Sequence, residues 1–218
     1  CVALRADNNG EGGILALYAL LRKMKRKWIY LLAIIGASTL LADGIITPAI
    51  TVTTAIEGLE SISPHLPVIP ITLGIITIIF FVQRFGTESI GKSFGVFMLI
   101  WFLLLGVMGA FSITSYPLIL KAFNPYYAIV LLAQSPEWFL ILGAVFLCTT
   151  GAEALYSDLG HCGRKNITIS WLFVKAMLIL NYLGQGAWVL NHVQTASSVN
   201  PFFSIMPQSM LIFAIIMA

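Results

Sequence analysis

The sequence predicts an all-α polytopic membrane protein, and three observations lead to this expectation. Of its 218 residues, 59% are hydrophobic and only 10% are charged, whereas a soluble domain carries about 25% charged residues. The apolar residues lie in long blocks, several of which reach the roughly 20 residues that a helix needs to cross the hydrocarbon. No alternating pattern of barrel strands is evident, so the spanning elements should be helices, which satisfy their backbone hydrogen bonds internally.

Six membrane spans are expected after a short opening helix. Residues 8–22 begin with a glycine-rich turn and continue as an apolar segment. Proline and glycine residues then mark the loops between spans. The predicted spans are Trp28–Glu57, Pro67–Val82, Phe94–Thr114, Glu137–Leu159, Ile167–Leu190 and a sixth that starts near Phe202. The chain starts with Cys1 rather than Met and ends inside an apolar run at Ala218, so we expect an internal fragment of a longer protein.

The basic residues predict the orientation of these spans. Nine of them lie in alternate loops, and the intervening loops hold only Lys121. The nine are Arg22, Lys23, Lys25, Arg26, Lys27, Arg84, Lys92, Arg164 and Lys165. Cytoplasmic loops carry an excess of Lys and Arg, so loops 22–27, 83–92 and 161–166 are expected on the cytoplasmic side. This topology signal explains the net charge of +3 without nucleic-acid binding.

The cysteines indicate neither a disulfide nor a transition-metal site. Cys1, Cys148 and Cys162 show no CxxC motif and no pairing with histidine at ligand spacing. No organic cofactor is expected either.

Asp43 is the main candidate functional residue, because it lies in the middle of its predicted span. A charged group at the bilayer centre costs at least about 2.5–3.5 kcal/mol, so the carboxylate must face protein, water or an ion. Thr39, Thr47 and Thr54 share its helical face. Their oxygens suit a hard cation, although threonines in a kinked helix can equally bond neighbouring helices. Pro48 lacks an N–H and therefore leaves the carbonyl of Gly44 without its helical donor.

Glu153 is the second acid expected inside a span, on one face with Thr150 and Ser157. The intervening Gly151 indicates a locally unwound helix of the kind that transporters use to expose backbone carbonyls. Glu153 and Lys175 lie about 15 Å and 18 Å from the same cytoplasmic turn. An ion pair between them is therefore one expectation. A carboxylate that exchanges between a lysine and a proton would also couple ion movement to protons.

Four further polar residues are left open by the sequence. Asp158 lies near the cytoplasmic end of its span, where it is a candidate gate or a helix-end carboxylate that bonds local N–H groups. His161 is interpreted as an interfacial loop residue. Asn181 and Gln185, four residues apart on the fifth span, either line a pathway or bridge helices.

Five segments in order resemble the Kup/HAK/KT potassium uptake permeases. They are GEGGILALYALL at 10–21, ADGIITPAITVTTAIEGLE at 42–60, QRFGT at 83–87, FNPYYA at 123–128 and TTGAEALYSDLGHCGR at 149–164. The resemblance covers nearly the whole chain, and the motifs are specific in combination. It implies membership of the amino acid–polyamine–organocation superfamily, with LeuT-like inverted repeats. Residues 1–218 would then form part of one transporter domain, from the end of span two to the start of span eight, without the first span.

The resemblance also implies a function and a set of site residues. It implies uptake of potassium coupled to protons across the cell membrane. The protein would contact membrane lipid, and the resemblance leaves open whether it forms a homodimer. The potassium-site acid of the family falls on Asp43, with Thr47 beside it, and its polar pair on span six falls on Thr150 and Glu153. Some members have glutamate at the position of Asp43. Potassium ligands would be Asp43, Thr47 and Thr150, and Glu153 with Lys175 would serve coupling.

The residues disfavour three alternatives. An amino-acid permease of the same superfamily would favour neutral groups over the two intramembrane acids. An intramembrane aspartyl protease could use Asp43 and Asp158, but it needs two acids that share a proton, and its YD and GxGD signatures are missing. A potassium channel is disfavoured because no filter motif such as TVGYG occurs.

Overall fold

The computed structural model describes residues 6–24, 26–60, 67–83, 88–148, 151–194 and 199–217. Within these ranges the chain is helical, and its only strand-like pairing is an isolated bridge between Asn8 and Glu11. The α-helices are α1 (Gly13–Leu21), α2 (Lys27–Glu60), α3 (Val68–Gln83), α4 (Glu88–Ser115), α5 (Pro125–Gln134), α6 (Trp138–Leu147), α7 (Ala152–Ser157), α8 (Leu159–Cys162), α9 (Arg164–Asn191), α10 (Pro201–Ser204) and α11 (Gln208–Met217). Two 3₁₀ segments, Arg22–Met24 and Pro117–Phe123, join some of them.

Three helices in the described part of the chain are long and apolar enough to cross a membrane. They are Lys27–Leu59, Phe94–Ser115 and Arg164–Asn191, and they confirm the first, third and fifth predicted spans as helices of spanning length. Only 6% of the first and 17% of each of the others is buried. Exposed apolar helices of this kind suit lipid or further protein as neighbours. The helix α3 matches the second predicted span but has only 16 residues.

The predicted span Glu137–Leu159 is interrupted in the structure, in line with the unwinding expected at Gly151. Helix α6 ends at Leu147, and α7 begins at Ala152 after Gly151, whose φ is +96°. A residue in this conformation cannot continue a right-handed helix. The local unwinding expected at Gly151 is therefore present, and it divides the segment into a ten-residue helix and two short ones. The predicted loop 83–92 is also partly helical, since α4 starts at Glu88.

Helix α5 was not predicted, because the Asn-Pro pair before it was interpreted as loop punctuation. The Asn124 side chain accepts a hydrogen bond from the N–H of Tyr126 at 3.0 Å, and Pro125 occupies the first helical turn. Asn200 caps α10 in the same way, through the N–H of Phe202 at 3.0 Å. An asparagine cap followed by proline is a favourable helix start, because proline lacks an N–H that would otherwise stay unpaired.

The chain divides into two compact units. One comprises Cys1–Gly44 with Lys121–Phe173, and the other comprises Ile45–Leu120 with Val174–Ala218. The core of the first unit contains Tyr156, Leu159 and Ile167, with Leu155 packed against them. The second unit has a core of Leu105, Met206 and Ala214 and a surrounding layer of apolar residues: Trp101, Phe102, Leu104, Met108, Leu178, Phe202 and Leu211.

Candidate ion-pathway residues

Asp43 lies halfway along α2, the longest helix among the described residues. Lys27 and Glu60 bound this 34-residue helix, so the carboxylate lies roughly 25 Å from each end at 1.5 Å per residue. Its side chain is partly buried within the chain. Helix α2 continues through Pro48, which cannot donate to the carbonyl of Gly44. Helix α2 therefore carries a carboxylate and, at the next residue, a carbonyl that Pro48 cannot pair with.

The threonine hydroxyls of α2 are partly engaged by their own helix. Thr39 Oγ1 donates to the carbonyl of Gly36 at 2.9 Å, and Thr51 Oγ1 donates to the carbonyl of Thr47 at 2.8 Å. A hydroxyl that donates to its own helix keeps its lone pairs available as acceptors or ligands. Thr39, Thr47 and Thr54 are exposed on the surface of the described chain. The Thr39 hydroxyl proton is thus already donated within the helix, and no bound ion is needed to explain its position.

The helix is interrupted at Gly151, two residues before Glu153. Gly151 has open space where a Cβ would lie, so its positive φ, rather than crowding, requires glycine at this position. The backbone of Glu153 lies in the first turn of α7. Thr150 lies outside the described residues, so its part in the predicted polar face stays a prediction. The pairing of the Glu153 carboxylate with Lys175 likewise stays a prediction.

A glycine-rich loop, Asp7–Gly13, packs against the end of α7 and holds this half of the first unit together. A Cβ on Gly12 would overlap the carbonyl oxygen of Tyr156, and one on Gly13 would lie 2.9 Å from Ser157 Oγ. The Tyr156 hydroxyl donates to the carbonyl of Ala6. The loop itself is closed by two backbone bonds between Asn8 and Glu11, at 2.8 and 3.1 Å.

Glycine is required on the other side of this contact as well. A Cβ on Gly160 of α8 would meet the Glu11 carboxylate, whose Cδ would lie 2.5 Å away. Segments 10–13 and 156–160 thus fit each other through small residues on both sides. Sequence reasoning singled out both segments as motifs but did not predict their contact. The signal that could have suggested it is the cluster of three glycines in 10–13 together with Gly160.

Replacing Gly12 with alanine is expected to separate this loop from α7 and to destabilise the first unit by about 1–3 kcal/mol. The new methyl group would meet a backbone carbonyl, which cannot move away as a flexible side chain would. Thermal unfolding of the purified protein measures the effect. Gly143→Ala in α6 is the matched control, because a Cβ there meets nothing within 4 Å. Equal melting temperatures for the two variants would contradict the proposed close fit.

Asp158 precedes α8 as its N-cap residue and is exposed. Its carbonyl accepts hydrogen bonds from the N–H groups of His161 and Cys162 at 3.1 and 3.0 Å. Its side chain makes no capping bond, so the expectation that its carboxylate bonds local N–H groups is wrong for this helix end. His161 is exposed in the last turn of α8. The candidate gate role of Asp158 stays a prediction.

Helix α9 carries the remaining predicted residues. Lys175 is exposed on it, and Gln185 is partly buried. Asn181 is only 3% exposed, and its Oδ1 finds no hydrogen-bond donor among the described residues. A buried amide oxygen without a donor is unusual in a folded protein. Thr72 Oγ1 of α3 is also buried and has no hydrogen-bond partner among the described residues.

Asn181 lies where α4 and α9 cross at very short range, a contact that the sequence did not predict. A Cβ on Gly109 would meet the carbonyl oxygen of Leu180 and lie 2.6 Å from the Cα of Asn181. A Cβ on Gly184 would lie 2.5 Å from the Cα of Gly109. Ser112 Oγ donates to the carbonyl of Gly184 at 2.8 Å. Small residues with an interhelical hydrogen bond are the means by which membrane helices pack closely.

Comparison with known proteins places the chain among transporters. The family described as the K+ potassium transporter integral membrane domain matches residues 1–218. A probable potassium transport system protein Kup of Flavobacterium psychrophilum is 51% identical over 223 residues. One of Latilactobacillus sakei is 54% identical over 233 residues, and a probable Kup 1 protein of Lactococcus lactis is 52% identical over 229 residues.

Each of these alignments covers 100% of this chain but only 34% of the relative. The chain therefore spans about a third of the length of the curated relatives that it matches. No solved structure shows a significant match. The family consists of transport proteins rather than enzymes, and the three long apolar helices agree with a multi-pass membrane protein. On the match over all 218 residues, the chain belongs to the K+ potassium transporter family.

Proposed function

We propose that the whole protein imports potassium across the cell membrane together with protons, as a secondary transporter. The observation that carries this proposal is the position of Asp43, a carboxylate at the midpoint of a 34-residue apolar helix. An ionisable group at this depth is costly and marks an ion or proton pathway. The relatives are potassium transport system proteins by name, which favours potassium as the transported ion.

In this proposal Asp43 attracts the cation, and Thr47 and Thr150 supply oxygen ligands near the bilayer midplane. Glu153 takes part in coupling by exchanging between Lys175 and a proton, and Asp158 serves as a gate on the cytoplasmic side. Hard monovalent cations favour carboxylate, hydroxyl and carbonyl oxygens of this kind. The positive φ of Gly151 beside Glu153 supports a discontinuous helix in a LeuT-like inverted repeat, where alternating access proceeds around a central site.

The proposed orientation places the segments 22–27, 83–92 and 161–166, which the sequence predicts as loops, on the cytoplasmic side. The support is the nine-to-one distribution of basic residues between alternate loops. The aspartyl protease alternative loses its support, since the family consists of transporters. The names of the relatives likewise favour potassium over an amino acid.

Reconstitution of the protein, expressed from its complete gene, into liposomes tests the function. With the membrane potential clamped at zero, potassium added outside should enter and acidify the lumen at the same time, because the two ions move together. Sodium chloride at the same concentration is the control. Potassium entry without acidification would contradict proton coupling, and absence of potassium entry would contradict the function itself.

Replacing Lys175 with alanine tests the coupling residue. The pH profile of uptake is expected to shift towards alkaline values, because a carboxylate that loses a neighbouring positive charge takes up a proton more readily. Lys121→Ala, outside the predicted spans, is the matched control and should leave the profile unchanged. A profile identical to wild type for Lys175→Ala would exclude this lysine from coupling.

A further inference from the structure

A cavity of about 280 Å³ lies where the opening helix meets the start of α2. Its lining, from the first unit alone, consists of Tyr18, Arg22, Arg26, Lys27, Ile29 and Tyr30. Three of these six side chains are cationic, and none is acidic. The positive-inside rule explains why this segment is basic, but it does not require the cations to converge on one cavity with two tyrosines.

The backbone around the cavity is held by local structure. Arg22 is the C-cap residue of α1, and its N–H donates to the carbonyl of Tyr18. Ile29 is 5% exposed and anchors the first turn of α2, where its N–H donates to the carbonyl of Arg26 at 3.2 Å. The backbone of Arg22 is thus held at the end of α1, and that of Arg26 lies directly before α2. Guanidinium groups bind phosphate oxygens through paired, charge-assisted hydrogen bonds.

The two tyrosines add a feature typical of a membrane interface. The ring centroids of Tyr18 and Tyr30 lie 6.1 Å apart, with the planes tilted by 58°. Tyrosine is enriched at the headgroup level of membranes, where its ring lies in apolar surroundings and its hydroxyl reaches polar groups. The pair therefore offers hydroxyl donors beside the cations.

Large apolar side chains follow directly on α2. Trp28, Leu31 and Leu32 are 53%, 59% and 55% exposed. They belong to the first turns of a helix long enough to cross the membrane. A soluble phosphate ester would use only the cations, whereas a lipid would place its acyl chains along this surface. The combination favours a lipid as the occupant.

We propose that this cavity binds the phosphodiester headgroup of an anionic phospholipid. Arg22 and Arg26 would hold the phosphate, Lys27 would add charge, and the tyrosine hydroxyls would contact headgroup oxygens. The acyl chains would lie against Trp28 and Leu31. Basic clusters at the cytoplasmic end of a membrane helix recognise anionic lipids in this way.

The test uses the protein from its complete gene, purified in nanodiscs that contain phosphatidylcholine and a minor fraction of phosphatidylglycerol. Native mass spectrometry then compares the two bound lipids. Wild type should retain phosphatidylglycerol preferentially. Arg22→Gln with Arg26→Gln should lower this preference by at least about tenfold, since loss of even one charge-assisted hydrogen bond to the phosphate weakens binding by roughly that factor. Arg84→Gln with Lys92→Gln, which removes the same charge from another segment predicted on the cytoplasmic side, should change it by less than about twofold.

Several results would overturn the proposal. One is the absence of any lipid preference in wild type, and another is an unchanged preference in the Arg22/Arg26 variant. A third is an equal loss of preference in both charge variants, which would indicate an effect of bulk charge alone. Should the glutamine variant fail to fold, Arg22→Lys with Arg26→Lys keeps the charge but loses the paired hydrogen bonds, and it should weaken retention measurably. Retention equal to wild type would then count against the site.

A further pair of measurements separates a lipid from a free phosphate ester. Inorganic phosphate should compete weakly, and Trp28→Ala with Leu31→Ala should lower lipid retention because the acyl contacts are lost. Full displacement by inorganic phosphate, with no effect of the apolar variant, would show a soluble phosphate site instead of a lipid site.

Discussion

Asp43→Asn is expected to abolish rescue of a potassium-uptake-deficient cell by the complete gene. The amide keeps the size of the side chain but removes its charge. A charged hydrogen-bonding or ligand group contributes about 1.5–3 kcal/mol, so we expect potassium affinity to fall roughly tenfold to a hundredfold. Growth at limiting potassium and the initial rate of potassium uptake measure the effect.

The amount of protein in the membrane, measured alongside uptake, separates loss of function from loss of folding, because Asp43→Asn keeps the size and polarity of the side chain. Asp43→Glu keeps the charge and should retain measurable uptake. Glu57→Gln neutralises an exposed acid near the end of the same helix and should have little effect. Uptake by Asp43→Asn at the wild-type rate, with equal protein in the membrane, would remove Asp43 from the pathway.

Gly109→Ala is expected to disrupt the contact between α4 and α9. The added methyl group would meet main-chain atoms of Leu180 and Asn181, and these cannot move unless the helices separate. Overpacking of this kind costs about 1–3 kcal/mol, enough to lower the amount of folded protein in the membrane several-fold. Thermal unfolding of the purified protein measures the loss of stability.

Two glycines of the same helix provide graded controls. A Cβ on Gly95 meets nothing within 4 Å, so Gly95→Ala should stabilise α4 by about 0.5–1 kcal/mol through backbone entropy. A Cβ on Gly106 would meet the Sδ of Met177, and this flexible side chain can move. Gly106→Ala should therefore lie between the other two. A melting temperature for Gly109→Ala equal to that of Gly95→Ala would show that α4 and α9 do not touch through their backbones.

The long helices could be predicted because apolar length alone determines them. Helices α2, α4 and α9 appear where uninterrupted apolar runs occur, and their ends extend the predicted spans by only a few residues except at the start of α4. The position of Asp43 at the centre of α2 followed from the same counting. Helix α5 was missed because proline both stops and starts helices, and only the bond from Tyr126 N–H to Asn124 shows which applies.

The interruption at Gly151 was predictable in kind but not in extent. A glycine among polar residues indicated unwinding, yet nothing in the apolar run 138–147 shows where α6 should end. The predicted face of Thr150, Glu153 and Ser157 assumed unbroken helical spacing across Gly151. Because Gly151 has a positive φ, helical spacing applies only from Ala152 onward. It does not determine where Thr150 lies relative to Glu153 and Ser157.

The close contacts were not predictable from sequence. Gly95 and Gly109 both lie in apolar stretches of α4, and local composition does not distinguish the open position from the crowded one. The difference depends on α9, which lies about seventy residues away in sequence. The contact of Gly12 with Tyr156 is of the same kind. Such pairings arise from tertiary packing, which a periodic pattern does not encode.

The close contact between α4 and α9 also limits how the second unit can change shape. Packed helices slide past each other by shear when interdigitated side chains repack in small steps. At Gly109 and Gly184 the two main chains meet with no side chains between them, so there are no rotamers to absorb such a step. Within the second unit, the parts of α4 and α9 around Gly109 and Gly184 should therefore move together, and any bending should occur elsewhere in the protein.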